Sequence, residues 1–159
     1  MEQIRTIDST DLQILQILQE KARIPNAEVA RQVGMAPSAV LERIRKLEER
    51  GIIEGYEVRL NPGHFGQSLA AFVFVDVDRA GNGSVAGELA AIAGVQEVHQ
   101  IAGEDGYLVK VRASDPETLG RLLRENFTLI KGVRATRTQI VLSTFKETRR
   151  IDLDVAASG

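Results

Sequence analysis

The stretch from residue 26 to residue 50 constrains the fold most. It reads Asn26-Ala-Glu-Val-Ala-Arg-Gln-Val-Gly34, then Met35-Ala36-Pro37-Ser38, then Ala39 through Arg50. Val29, Ala30 and Val33 recur at helical spacing, and Gly34 stands where a left-handed residue ends a helix. Pro37 suits the first position of the next helix, where its missing N–H is not needed. Ala30 is small enough to let that helix approach closely. Two short helices joined by so tight a turn form the pattern of a helix-turn-helix, whose second helix enters the DNA major groove.

A preceding helix completes the bundle. Asp8-Ser-Thr-Asp11 resembles a capping box, with Asp8 placed to accept from the free N–H groups of the first turn. Leu12, Ile14, Leu15 and Leu18 follow on one broad apolar face, until Pro25 disfavours helix at Ile24.

On the helix that starts at Pro37, a step of 100° per residue puts Val40, Ile44 and Leu47 on one face. Ala39, Arg43, Lys46 and Arg50 share another face turned about 100° away, with Glu42 beside them. The expected DNA contacts are therefore Pro37, Ser38, Ala39, Glu42, Arg43, Lys46 and Arg50. The leading turn, with Ser38 and Ala39, would reach base edges. Arg43 is expected to offer its planar fork to guanine, and Lys46 and Arg50 to meet phosphate. Glu42 could accept from a cytosine amino group or simply pair with Lys46. Glu48 and Glu49 read more plainly as a solvated face.

Composition limits the rest. A net charge of -2 means that any attraction for DNA comes from a local cluster rather than from the whole surface. Five Phe, two Tyr and no Trp argue against stacking platforms for single strands. With no cysteine there are no disulfides and no thiolate metal sites. No apolar run is long enough to cross a bilayer, and no basic-then-apolar leader follows Met1, so a cytoplasmic protein is expected.

Beyond the helices, the alternation from Ile53 to Leu60 reads as a linker strand, and Asn61-Pro-Gly-His64 as the turn that separates two domains, 1–60 and 61–159. Strands are expected over 69–77, 95–102, 107–113 and 133–142. Helices are expected over 85–93, capped by Ser84, and from Ser114-Asp-Pro-Glu117 to about residue 126. The order β-α-β-β-α-β is that of a ferredoxin-like sandwich. The fold class is thus α+β, a helix-turn-helix (winged-helix-like) domain followed by a ferredoxin-like βαββαβ domain. Helices cover only one face of such a sheet. The other face, carrying Phe72, Phe74, Val109 or their neighbours according to register, calls for a partner, and a second copy is the simplest.

These residues, taken in order, resemble the Lrp/AsnC (leucine-responsive, feast/famine) transcription regulators. The resemblance runs through Ile7-Asp8-x-x-Asp11-x-x-Ile14-Leu15, Ala22-Arg23-Ile24 and Val29-Ala30-x-x-x-Gly34. It continues through Arg43-Ile-Arg-Lys-Leu-Glu48-x-x-Gly51-Ile-Ile-x-Gly55-Tyr56 and Asn61-Pro62. Gly103-Glu-Asp-Gly-Tyr107 and Gly132-Val-Arg-x-Thr136-x-Thr138 complete it. It implies a regulator that binds double-stranded DNA and a second domain that senses a small effector, an amino acid. It also implies homodimers that assemble into octamers or similar rings. The implied effector site is Gly103, Glu104, Asp105, Gly106 and Tyr107, closed by a partner strand matching Thr136, Thr138 and Gln139. The chain departs from the family at Pro25, at Ala36, where a hydroxyl cap is usual, and at Gly106, where the family has Asp. Glu104 or Asp105 could replace that acid, or merely decorate the turn.

An alternative with the same architecture is a sirohaem decarboxylase-like enzyme. Only two histidines are present, His64 after the hinge turn and His99 in a strand. No nucleophile–base pair, metal-ligand spacing or phosphate loop stands out, so no catalytic residue, metal or cofactor is expected.

Overall fold

The computed structural model describes residues 7–78, 84–103 and 106–153. It divides into two compact units, residues 1–59 with 147–159 and residues 60–146.

In the first unit, α1 (Ser9–Glu20) begins at Asp8. Its carboxylate accepts from the Asp11 N–H at 2.8 Å, while the Asp8 N–H donates to Asp11 at 3.4 Å, so the capping box forms as its sequence predicts. Helix α2 (Asn26–Val33) ends on Gly34 at φ 70°, and the Met35 N–H closes back on the Ala30 carbonyl at 3.0 Å. That left-handed residue turns the chain into α3 (Pro37–Glu49), with Pro37 in its first turn. Ile14, Val29, Ala30, Val40 and Ile44 form the buried centre, with Ile17, Leu18, Ile24, Val33, Met35 and Ile53 packed around it.

Two expectations change here. The linker from Glu54 to Leu60 is exposed and joins no strand ladder among the described residues. Alternation favours extended backbone, but a strand also needs a neighbour to bond to. The second change is the tail. The expected second domain ran to residue 159, yet residues 147–153 group with the helices. Gln19 donates from Nε2 to the Ile151 carbonyl at 3.0 Å and accepts from the Ile151 N–H at 2.9 Å. Arg150 donates to the Glu20 carbonyl at 3.2 Å, and Arg149 to the Glu57 carboxylate at 3.0 Å. Helix α1 has no basic residue in its own last turn, so Arg150 supplies the cation that its C-terminal carbonyls favour.

The second unit carries β1 (Leu69–Val77), α4 (Val85–Ala90), β2 (Val95–Gln100), β3 (Tyr107–Ala113), α5 (Pro116–Leu122) with a π-turn to Phe127, and β4 (Val133–Ile140). The antiparallel sheet has the order β2-β3-β1-β4. Asp115 caps α5 by accepting from the Thr118 N–H at 2.8 Å. Ala71, Val73, Val75, Tyr107, Val109 and Val111 pack under Val85, Leu89, Leu119 and Phe127. Val109 therefore lies in the helix-side core and not on the open face, because β3 pairs Val109 with Val73. The open face carries Phe72 and Phe74, paired with Lys110 and Leu108. The Arg137 guanidinium lies 4.7 Å from the Phe74 ring centroid.

Candidate nucleic-acid interface and effector loop

Val40, Ile44 and Leu47 are buried, which orients the rest of α3. Pro37, Ser38, Lys46 and Arg50 are exposed, and Ala39 and Glu42 are half-buried. Arg43, Lys46 and Arg50 line a cleft of about 260 Å³ with Asp11 and Leu47. The predicted cations are thus gathered on one side of the bundle.

Arg43 does not reach freely outward: its Nη1 donates to Asp8 Oδ2 at 2.7 Å and to Asp11 Oδ1 at 2.8 Å. Asp11 is buried, its side chain 10% exposed, and Arg43 is its partner there. The hydrogen bond from Arg43 is the main reason that the Asp8 carboxyl titrates below its ordinary range, with the capping N–H of Asp11 second. The physical cause of this pairing is the flank position of residue 43, beside the buried stripe, where the nearest anions are the α1 cap.

Sequence reasoning missed Arg45. It lies opposite the buried stripe and donates from Nε to Glu42 Oε2 at 3.1 Å, from Nη2 to Glu42 Oε1 at 2.9 Å and from Nη1 to Glu49 Oε1 at 2.7 Å. The bonds to Arg45 lower the titration of Glu42. Lys46 lies 3.6 Å from Glu42, so the expected pairing is present but secondary to Arg45. The signal was available in the spacing: residues 38, 42, 45 and 49 form the stripe turned farthest from Val40, Ile44 and Leu47.

The effector loop is only partly within view, since Glu104 and Asp105 lie outside the described residues. Gly103 has φ 135°, a conformation that favours glycine. Gly106 donates its N–H to the Val75 carbonyl at 2.9 Å, and its own carbonyl accepts from the Ile101 N–H at 3.1 Å. A Cβ there would lie 2.4 Å from Val77 Cγ2. The missing family Asp is thus matched by a position with no room for a side chain. Tyr107 is 4% exposed and belongs to the helix-side core. On β4, Thr136 and Thr138 pair with Val75 and Val73, whereas Gln139 pairs with Phe72 on the other face. The two threonines stay together and near Gly106 through Val75, and Gln139 is separated from them. Among the described residues no group of acids and histidines is arranged to hold a metal.

Two family models match. Residues 7–54 match a winged helix-turn-helix DNA-binding domain, and residues 70–151 match the Lrp/AsnC ligand binding domain. The chain is 35% identical over 150 residues to the leucine-responsive regulatory proteins of Salmonella typhimurium and Escherichia coli, covering 92% of each chain. Among solved structures, a Neisseria meningitidis transcriptional regulator in complex with L-Met superposes with a TM-score of 0.90 at 28% identity, over 94% of this chain and 99% of that one. A feast or famine regulatory protein of M. tuberculosis complexed with L-methionine gives 0.85 at 33% identity, over 92% and 99%. These relatives are regulators and not enzymes, and the decarboxylase alternative has no support among them. The helix-turn-helix, the split βαβ sheet and these matches together place the chain in the Lrp/AsnC family of transcriptional regulators.

Proposed function

We propose that the chain is a sequence-specific DNA-binding transcription regulator whose affinity for its operators is tuned by an amino-acid effector through homo-oligomeric assembly. The observation that carries this reading is α3, crossing its own bundle on a buried stripe while Pro37, Ser38, Glu42, Lys46 and Arg50 remain outside the core. In such a geometry Ser38, Ala39 and Glu42 meet base edges, and Lys46 and Arg50 meet phosphates. The DNA-reading domain comprises residues 1–60 with the returning tail, and the effector domain begins at residue 61.

The effector reading is supported by two structural neighbours that hold L-methionine. Gly103 and Gly106 frame the site, a partner strand carrying Thr136, Thr138 and Gln139 closes it, and Glu104 or Asp105 supplies the acid that meets the ammonium group. Assembly as homodimers, and of dimers into octamers, is supported by Phe72 and Phe74 on the open sheet face and by the near-complete exposure of Leu142 and Phe145. No described helix is long and apolar enough to cross a membrane. A DNA-binding role fits the cytoplasmic location read from the sequence. An effector alters operator affinity only by favouring one assembly or conformation, and a coupling of about 1–3 kcal/mol suffices.

The test is retention of promoter fragments on native gels across a salt series, with light scattering before and after addition of L-methionine and L-leucine. Salt-dependent retention and an effector-dependent change in mass are expected. Retention that ignores salt, or a mass and affinity unmoved by every amino acid, would overturn the corresponding half of the reading.

A further inference from the structure

We propose that the base-reading cation of α3 is Arg45, buttressed by Glu42, and that Arg43 is a positioning residue that fixes α3 against the start of α1. The inference rests on the DNA-binding reading above and assigns roles within it.

At 100° per residue, Ser38, Glu42 and Glu49 lie roughly 150–175° from the mean direction of Val40, Ile44 and Leu47, and Arg45 about 130° from it. Arg43 lies only about 65° from that direction. A side chain at that angle leans toward its own bundle, and Asp8 and Asp11 are what it meets. The side-chain exposures agree, 56% for Arg45 and 31% for Arg43.

A guanidinium has five N–H groups. Arg45 uses three of them, on Nε and Nη2 toward Glu42 and on Nη1 toward Glu49. Two donors remain, one on each Nη, and the O6 and N7 of guanine accept two. The fork is also held before DNA arrives, which reduces the ordering cost on binding. Arg43 keeps three donors, on Nε and Nη2, but its Nη1 is held by two carboxylates at the start of α1, which turns the fork toward its own bundle.

Asp8 is both the cap of α1 and an acceptor for Arg43. One carboxylate thus ties the start of α1 to the middle of α3. Loosening it changes the angle at which the whole reading face is presented, so its loss weakens every base contact together.

The experiment is selection from a pool of randomised duplex DNA by the full-length protein, with melting temperatures and dissociation constants measured alongside. Wild type is expected to enrich a two-fold motif containing a guanine. Arg45→Gln is expected to melt like wild type and to lose discrimination at that guanine by about 5- to 150-fold, the range for one bidentate contact. Arg43→Lys and Arg43→Gln are expected to enrich the same motif with uniformly weaker affinity well below their melting points. A residue needed only for stability would leave affinity unchanged there. If Arg43→Gln does not fold, Arg43→Lys, which keeps a donor for both carboxylates, carries the test. An unchanged motif for Arg45→Gln, or loss of one base position in an Arg43 variant, overturns the assignment. Wild type enriching no motif overturns the DNA-binding reading itself, and the inference with it.

Discussion

A methyl group added at Gly106 should destabilise the sheet unit, because the loop closes there without space for one. The added Cβ would sit 2.4 Å from Val77 Cγ2 and 3.4 Å from the Val75 carbonyl oxygen. Carbon atoms prefer about 3.5–4.0 Å, so the overlap exceeds roughly 1 Å. Val77 is β-branched and stiff, and it packs against the core beneath α4 and α5. Lifting the loop away would sacrifice the Gly106 N–H bond to Val75 at 2.9 Å. Overpacking of this kind costs about 1–3 kcal/mol, which for a unit of this size lowers the melting temperature by roughly 5–20 °C. Calorimetry of Gly106→Ala at fixed protomer concentration measures it, since assembly would otherwise shift the transition. Val77→Ala removes the opposing methyl group. The double variant should therefore be more stable than the sum of the single effects by about 1 kcal/mol or more. A Gly106→Ala protein melting with wild type, or two substitutions whose effects simply add, would refute the steric account. The same limit keeps aspartate out of position 106.

Three further outcomes follow from the first unit. Gln19→Ala removes both bonds to Ile151 and should cost about 1 kcal/mol. Amide exchange in the last turn of α1 would report this, and exchange there unchanged would mean that the tail contributes nothing. Lys46→Gln should flatten the slope of log affinity against log salt by about 0.9, as expected for one lost phosphate contact, with the preferred motif retained. Asp8 titrates below its ordinary 3.8 because Arg43 donates to it. Its folded-state pKa being depressed, the stability it contributes is present above about pH 4 and is lost as pH falls through the folded value. An NMR titration of Asp8 should show a midpoint below 3.8 that returns upward in Arg43→Gln. An unshifted midpoint in wild type would dissolve the clamp.

Much of this architecture is written locally in the chain. Asp8 and Asp11 make a capping box because they are three residues apart, Gly34 ends α2 because it adopts φ 70°, and Pro37 starts α3 because it needs no N–H. The continuous apolar run around Phe72 and the alternating run around Val109 fix strands, and their order fixes the split βαβ sheet. What the sequence left open were the questions that depend on distant neighbours. Which face Val109 takes depends on register against Val73, and the separation of Gln139 from Thr136 and Thr138 on the alternation of β4 against β1. The tail returns to α1 through bonds spanning 132 residues. Arg43 and Arg45 are two steps apart and chemically identical, yet one meets Asp8 and Asp11 and the other faces away from its bundle. Helical periodicity is a property of adjacent residues and can be read along a line. The partner of a charge is whatever the folded backbone brings within about 3 Å of it, and only the tertiary structure decides that.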